Sequence, residues 1–258
     1  DFKDIVAISL VSDSCSLLSH ENRKYIHDGL TKPSNPFIKY ALEKLCYRGV
    51  CPEGVAFGIA PLGNALSRQE DAESKLLFFD ALVGKIKPDD AVAAMKGVKS
   101  KQDYQVRKLM GAIEPGMDMG HKVLFGFANP ESKNYLGLVA NKVCSKYGKP
   151  TFMLREANST TWSGSMRSPI DLLETINQSG LAKCQGHDAA CGIVIKKSNL
   201  KRFAKFMDSL ELETEPSVDV AANITPEAIT LRLAKLCASN AILWGKDVPK
   251  PKFHVHLD

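Results

Sequence analysis

One stretch restricts the fold of this chain more than any other: Gln185-Gly186-His187-Asp188-Ala189-Ala190-Cys191-Gly192, between a helix ended by Gly180 and the apolar strand Ile193-Val194-Ile195. Small residues there let a ligand approach the backbone, His187 can donate hydrogen bonds, and the strand behind holds both still. That combination suits grasping a phosphate. Upstream, Gly164-Ser165-Met166-Arg167-Ser168-Pro169 reads as a turn feeding a helix, with Ser168 as N-cap, Pro169 at the first helical position and Asp171 in the first turn. Free amides at that helix start, with Arg167 beside them, predict a second anion site.

Around this stretch the second half of the chain alternates strands and helices. Strands are expected at 122–128, 151–155, 160–166 and 191–196. The helices between them are a first with Asn129 as cap and Pro130 following, one from Pro169 to about Asn177, and one capped by Ser198 that turns Leu200, Phe203, Ala204 and Met207 inward. This is a small mixed α/β domain. In the first half, the apolar run at residues 4–11 is expected as a buried strand of a parallel sheet, ending at Ser12-Asp13-Ser14. The carboxyl end of such a strand is where ligands bind, which makes Asp13 a candidate site residue; a turn or cap aspartate is the alternative. Helices follow at 22–30, from about 38 to Gly49, at 71–83, and from Pro88 with Val106, Leu109, Met110 and Ile113 on one stripe; Glu114-Pro115-Gly116 breaks the last. After Leu210 an acidic loop, a short strand at 218–221 and a Thr225-capped helix lead to a last strand near His254. The division read from these patterns is 1–66, 67–118 as a helical connector, 119–210, and 211–258.

A formal charge of +5, from 34 basic and 29 acidic residues among 258, permits a nucleic-acid partner without requiring one. Lys196, Lys197, Lys201, Arg202 and Lys205 are a local excess, which a solvated helix face would equally explain. Seven cysteines with no C-x-x-C pair indicate neither a disulfide frame nor a zinc knuckle, and a reducing cytoplasm is the default expectation. No apolar run approaches the roughly 18 residues of a membrane span, so no membrane partner is expected. Trp162 reads first as a core side chain and second as a base-stacking platform. His254 and His256 alternate on one strand face, where ordinary side chains outnumber metal ligands.

The pair Gly164-Ser-Met-Arg167-Ser168-Pro and Gly186-His187-Asp-Ala189-Ala190-Cys-Gly192 resembles the paired signature of the DHH-associated domain of DHH phosphoesterases, whose second part usually reads G-G-H-x-x-A-A-G. Gln185 and Cys191 are the departures. Ala7 to Leu17 with Glu21-Asn22-Arg23 and Gly29-Leu30 resembles the end of the catalytic domain of RecJ-type single-strand exonucleases. Ile59-Ala60-Pro61-Leu-Gly-Asn64-Ala65-Leu-Ser-Arg68 resembles their I-A-P-R-I-N-A-A-G-R segment, with Leu62 at the first arginine. Trp244 to Phe253 loosely resembles the run into their oligonucleotide-binding barrel.

This resemblance implies the end of a parallel-sheet catalytic lobe, a helical connector and a DHH-associated domain, closing on single-stranded DNA. Divalent manganese or magnesium would activate water against the phosphate. Asp13 falls on the last metal-ligand aspartate of the family. The chain has no His-His pair, so it is expected to be a piece of a longer protein and inactive alone, its partners being the preceding catalytic segment or a single-strand-binding protein. Arg167, Ser165, Ser168 and His187 would hold phosphate, the backbone at Gly186 and Gly192 would allow close approach, and Asn64 and Arg68 would sit in the cleft between lobes. The alternatives are a family member acting on short oligonucleotides or nucleotides, and a non-catalytic single-strand-binding module.

Overall fold

The computed structural model describes residues 2–212 and 220–256. Among them, 2–101 with 220–256 form one compact unit and 102–212 a second. The division falls inside a long helix, whereas the sequence pattern suggested limits at 66 and 118. No helix among the described residues is long and apolar enough to cross a membrane.

The first unit begins with a correction. Residues 4–11 are not a strand: α1 spans Lys3–Ser12 and packs on α2, His20–Thr31. A continuous apolar run has no period to decide between strand and helix, and here two local features decide it. A Cβ at Gly29 would stand 2.2 Å from the Lys3 carbonyl oxygen and 2.6 Å from the Ala7 Cβ, so the absence of one lets α2 lie directly against α1. At the start of α1 the buried Asp4 carboxylate accepts the backbone N–H groups of Ile5 (2.9 Å), Ser34 (2.7 Å) and Asn35 (2.7 Å). One of those donors is in the first helical turn, where N–H groups lack partners of their own.

The next helices follow the periodicity closely. In α3, Pro36–Leu45, the stripe Ile38, Ala41, Leu42 and Leu45 is buried, and Asn35 caps the helix through Phe37 and Ile38. Then come α4, Pro52–Gly58; α5, Ala60–Ser67; α6, Ala72–Leu82, capped by Asp71; and α7, Pro88–Ile113, ended by a 3₁₀ turn at Glu114–Gly116. Leu62, the departure from the segment that Ile59 to Arg68 resembles, is buried in the core of this unit. Residues 2–101 contain no strand, so this part of the chain is all-helical.

The second unit is built on a five-stranded sheet of order β1-β2-β3-β5-β4. Its elements are β1, Leu124–Ala128; α8, Leu136–Tyr147; β2, Thr151–Asn158; β3, Thr161–Arg167; α9, Leu173–Gln178; β4, Ala182–His187; β5, Ala190–Lys196; and α10, Leu200–Ser209. β1 and β2 are parallel, joined through α8, and the remaining pairs are antiparallel. α8 covers one face, with Val139, Ala140 and Val143 over Leu124 and Met153. α9 and α10 cover the other, where Phe125, Phe152 and Phe203 cluster and Met207 is fully buried. This is the mixed α/β domain expected.

Several ends differ from the sequence reading. Pro130–Asn134 is a 3₁₀ turn and Asn129 makes no side-chain cap; likewise Lys197–Asn199 is a 3₁₀ turn, so Ser198 does not cap α10. Ser168 caps no helix either: α9 starts at Leu173, and the N–H groups of Leu172 and Leu173 both go to the Asp188 carbonyl. The helix-start anion site expected beside Arg167 is therefore absent from that place. The cysteine reading is overturned as well, since Cys184 and Cys191 form a disulfide with Cα atoms 5.8 Å apart. The β4–β5 turn folds the chain back within that seven-residue separation, and spacing rules drawn from metal knuckles do not register such a pair.

The first half of the strand expected at 218–221 lies outside the described residues, and 220–221 are not strand; beyond the stretch 213–219 the chain returns to the first unit. β6, Ala222–Ile224, pairs in parallel with β7, Phe253–Val255; α11, Leu231–Ser239, is capped by Thr230, not Thr225. The segment between packs on the first core through Ile242 and Val248, and the Leu17 N–H donates to the Lys246 carbonyl at 2.9 Å.

Asp4 gives a test of this packing. Burial pushes its carboxyl pKa up, but the N–H donors of Asn35, Ser34 and Ile5 outweigh that and hold it below the usual value. Its stabilisation is present above the unfolded pKa of about 3.9 and is lost as pH falls through the lower folded value. Asp4→Ala is expected to cost about 1–3 kcal/mol in urea unfolding at neutral pH by leaving buried donors without a partner. The gap between wild type and Asp4→Asn should narrow as unfolding is repeated at progressively lower pH.

Candidate nucleic-acid interface

The site is set by strand register. Thr151, Arg167, Ala190 and His187 lie in one row across β2, β3, β5 and β4; Met153, Ser165, Gly192 and Gln185 form the next; Arg155, Ser163, Val194 and Lys183 form a third. Side chains alternate between faces along a strand, so these three rows share one face. α8 covers the β2 side of it and buries Met153, but towards β5 and β4 the face is open: Val194 is 48% exposed, and Lys183 and Gln185 are exposed. The result is a groove of about 890 Å³, lined among others by Lys133, Arg155, Ser163, Ser165, Lys183 and Gln185.

Arg167 and Ser165 are held at the closed side of this face. A Cβ at Gly137 would lie 3.0 Å from Arg167 Nη2 and 3.5 Å from Ser165 Oγ. The guanidinium and the hydroxyl therefore occupy room left by the second residue of α8, at the positive end of the helix dipole. Arg167 Nη1 also donates to the Met166 carbonyl at 2.7 Å. The arrangement is a cation, a hydroxyl and a helix start converging, which favours an anion. His187 is exposed at the end of β4, in the same row as Arg167.

The stretch 185–192 is a hairpin rather than a loop. Gly186 has φ +143°, and a Cβ there would come within 2.9 Å of the Ala190 carbonyl oxygen, so its glycine serves the hairpin itself. Gly192 lies in the groove row, where a Cβ would meet only Gln185 O at 3.7 Å; its glycine keeps the floor low. Ser168 orders the neighbouring turn: its N–H donates to the Ala189 carbonyl at 2.9 Å and its hydroxyl accepts from Ile170 N–H at 3.1 Å. Trp162 packs among the core residues on the other face, 5.1 Å from the Phe127 ring and beneath Lys197, whose ammonium also pairs with Glu156 at 2.5 Å.

In the first unit, Asp13 closes α1 instead of a strand, with its N–H on the Ser9 carbonyl at 2.9 Å and Ser14 following at φ +54°. It shares a cleft with Ser9, Ser12, Asn64, Ser67 and Lys75. Arg68 is half-buried, which lowers its guanidinium pKa, and it folds back to donate to the Asn64 carbonyl at 2.6 Å. A divalent cation needs several oxygen ligands. The Asp13 cleft offers one carboxylate beside a lysine, and no group of three histidine, cysteine or acidic side chains suited to a metal occurs among the described residues. The residues described here thus do not fit a manganese or magnesium centre. The His254 and His256 rings meet edge-on with centroids 4.5 Å apart, with His254 Nδ1 3.1 Å from Asn223 Oδ1, and gain no third ligand among the described residues.

Arg155, Lys183 and Gly137 were not singled out by motif. For Lys183 the signal was present: Ala182, Lys183, Cys184 and Gln185 alternate buried and exposed, a period-two pattern that puts Lys183 and Gln185 on the groove face.

Comparison with known proteins first defines the class. Residues 120–211 match the DHHA1 domain, which covers the sheet and groove described above. Across the chain, RecJ of Escherichia coli, a single-stranded-DNA-specific exonuclease, is 23% identical over 280 residues, covering 98% of this chain and 48% of its own. YorK, an SPbeta prophage-derived protein of Bacillus subtilis, is 28% identical over 233 residues, covering 77% of this chain and 40% of its own. The crystal structure of RecJ from Thermus thermophilus in complex with Mn2+ superposes with a TM-score of 0.80 at 19% identity, over 98% of this chain and 39% of that one. The chain thus carries a match to the DHHA1 domain and is similar to RecJ-type proteins along nearly its whole length. It spans less than half the length of these relatives.

Gly137→Ala tests the seat of Arg167. The added methyl meets the tip of a flexible side chain, so the guanidinium must shift while the helix gains a better former. The variant should melt at or above the wild-type temperature and bind a single-stranded oligonucleotide several-fold more weakly, read by fluorescence anisotropy.

Proposed function

We propose that this chain is the strand-holding part of a metal-dependent 5′ to 3′ exonuclease specific for single-stranded DNA. The observation that carries the reading is the seating of Arg167 and Ser165 against the first turn of α8, with Arg167 in one row with His187, beside a basic groove. Arg167 grips a backbone phosphate, Ser165 donates its hydroxyl, and His187 donates from the opposite end of the row. Gly192 keeps the floor open to the strand, while Gly186 and Ser168 hold the hairpin and its neighbouring turn. On the first unit, taken by itself, Asn64 and Arg68 offer polar groups to nucleic acid. Contacts of this kind hold the sugar-phosphate backbone and carry no sequence information, so the grip is sequence-tolerant and weakens with salt.

A bound manganese or magnesium would supply water activation, and Asp13 would be one ligand among several. The others come from outside the described residues, so the chain alone binds without cleaving. Arg167→Ala is expected to weaken binding of a 5′-phosphorylated single-stranded oligonucleotide by about 1.5–3 kcal/mol, the worth of a charge-assisted hydrogen bond. Unchanged affinity in a folded variant removes Arg167 from the site; equal affinity of the wild type for single strand and duplex removes the strand-specific reading.

A further inference from the structure

Resting on that reading, the three rows of the open face say how much of a strand the groove takes. Successive same-face rows along a β-strand are about 6.8 Å apart, twice the antiparallel rise, which is of the order of the spacing between consecutive phosphates in an extended nucleic-acid strand. Each row offers polar or cationic groups: Arg167 and His187 in the first, Ser165 and Gln185 in the second, Arg155, Ser163 and Lys183 in the third. The residues lining the groove include Lys133, Arg155 and Lys183 and no aspartate or glutamate. Lys183 is exposed and makes no ion pair among the described residues. Arg155 is half-buried, with Nη1 on the neighbouring Glu156 carbonyl at 3.2 Å, which fixes the guanidinium near the sheet. Glu156 itself belongs to the alternate row and pairs with Lys197, so its carboxylate does not neutralise this end of the groove.

We infer that Arg155, Ser163 and Lys183 form a second backbone-phosphate subsite, two phosphates along the strand from Arg167, so that the groove engages three consecutive phosphates. The ligand it selects is an oligonucleotide of at least three phosphates, laid along the strands of the sheet, in preference to a mononucleotide. Arg155 and Lys183 stand on opposite sides of the row and grip the phosphate from both edges, with the Ser163 hydroxyl between them. Each cation adds one counterion-releasing contact.

The test uses the whole chain and 5′-phosphorylated deoxynucleotides of one, two, three and ten units, titrated by competition against a labelled decamer at several salt concentrations. Wild-type affinity should climb steeply up to the trinucleotide. Lys183→Gln and Arg155→Gln should each weaken the trinucleotide and decamer by about tenfold, flatten the salt slope by about 0.7, and leave the mononucleotide unchanged. Arg167→Ala should weaken all four ligands. Wild-type binding of the trinucleotide by both glutamine variants, with Arg167→Ala still impaired, overturns the subsite and leaves the proposed function standing. A wild type that binds none of the oligonucleotides, or an Arg167→Ala variant that binds them all normally, overturns both.

Discussion

The register of the β4–β5 hairpin is the constraint on which the site depends. Side chains on a strand repeat every two residues, so a slip of one would turn Lys183, Gln185 and His187 into the core and bring Cys184 out. Several independent contacts forbid the slip. Gly186 takes a backbone conformation that other residues rarely adopt, the carbonyls of Asp188 and Ala189 are claimed by the N–H groups of Leu172, Leu173 and Ser168, and Cys184 is bonded to Cys191 on the buried face. The turn is thus tied to the segment that carries Arg167 out of β3. One set of hydrogen bonds positions both ends of the row.

Much of this was legible in the sequence because the residues involved are punctuation or periodic. The stripe of α3, the Asp71 cap, the break after Ile113, and Gly148 in the left-handed region at φ +64° all follow from residue types that act locally. Residues 4–11 failed for the opposite reason: a run apolar on every side carries no period, and what settles it is the glycine of a different helix and a loop that reaches back to Asp4. Ser168 and Pro169 looked like a helix start because that pair usually is one. Here the hairpin tip takes the amide groups of the first helical turn, and the helix begins later. The groove residues Arg155 and Lys183 sit outside any motif, and only the pairing of strands distant in sequence brings them together.

The two clusters of candidate residues differ in completeness. Arg167, Ser165 and His187 belong to a sheet whose strands, covering helices and core all lie within one unit. Asp13 and Asn64 meet in a cleft of the first unit without the further carboxylates that a divalent cation needs. Under the proposed function, holding a strand is the part encoded here, and cutting it would require more ligands than these residues provide.

The return of the chain after the second unit has a consequence for how the molecule is made. Leu17 is covered by Gly245 and bonded through its N–H to Lys246, and Ile242 and Val248 complete the core of α1 to α7. Of these two units, the one that begins earlier in the sequence is therefore finished later. Its helices must wait with an uncovered apolar surface while the whole DHHA1 domain is translated and folds as an insertion between them. Closing contacts so distant in sequence is slow, so an interval of exposure to aggregation falls between the folding of the second unit and the docking of residues 220–256.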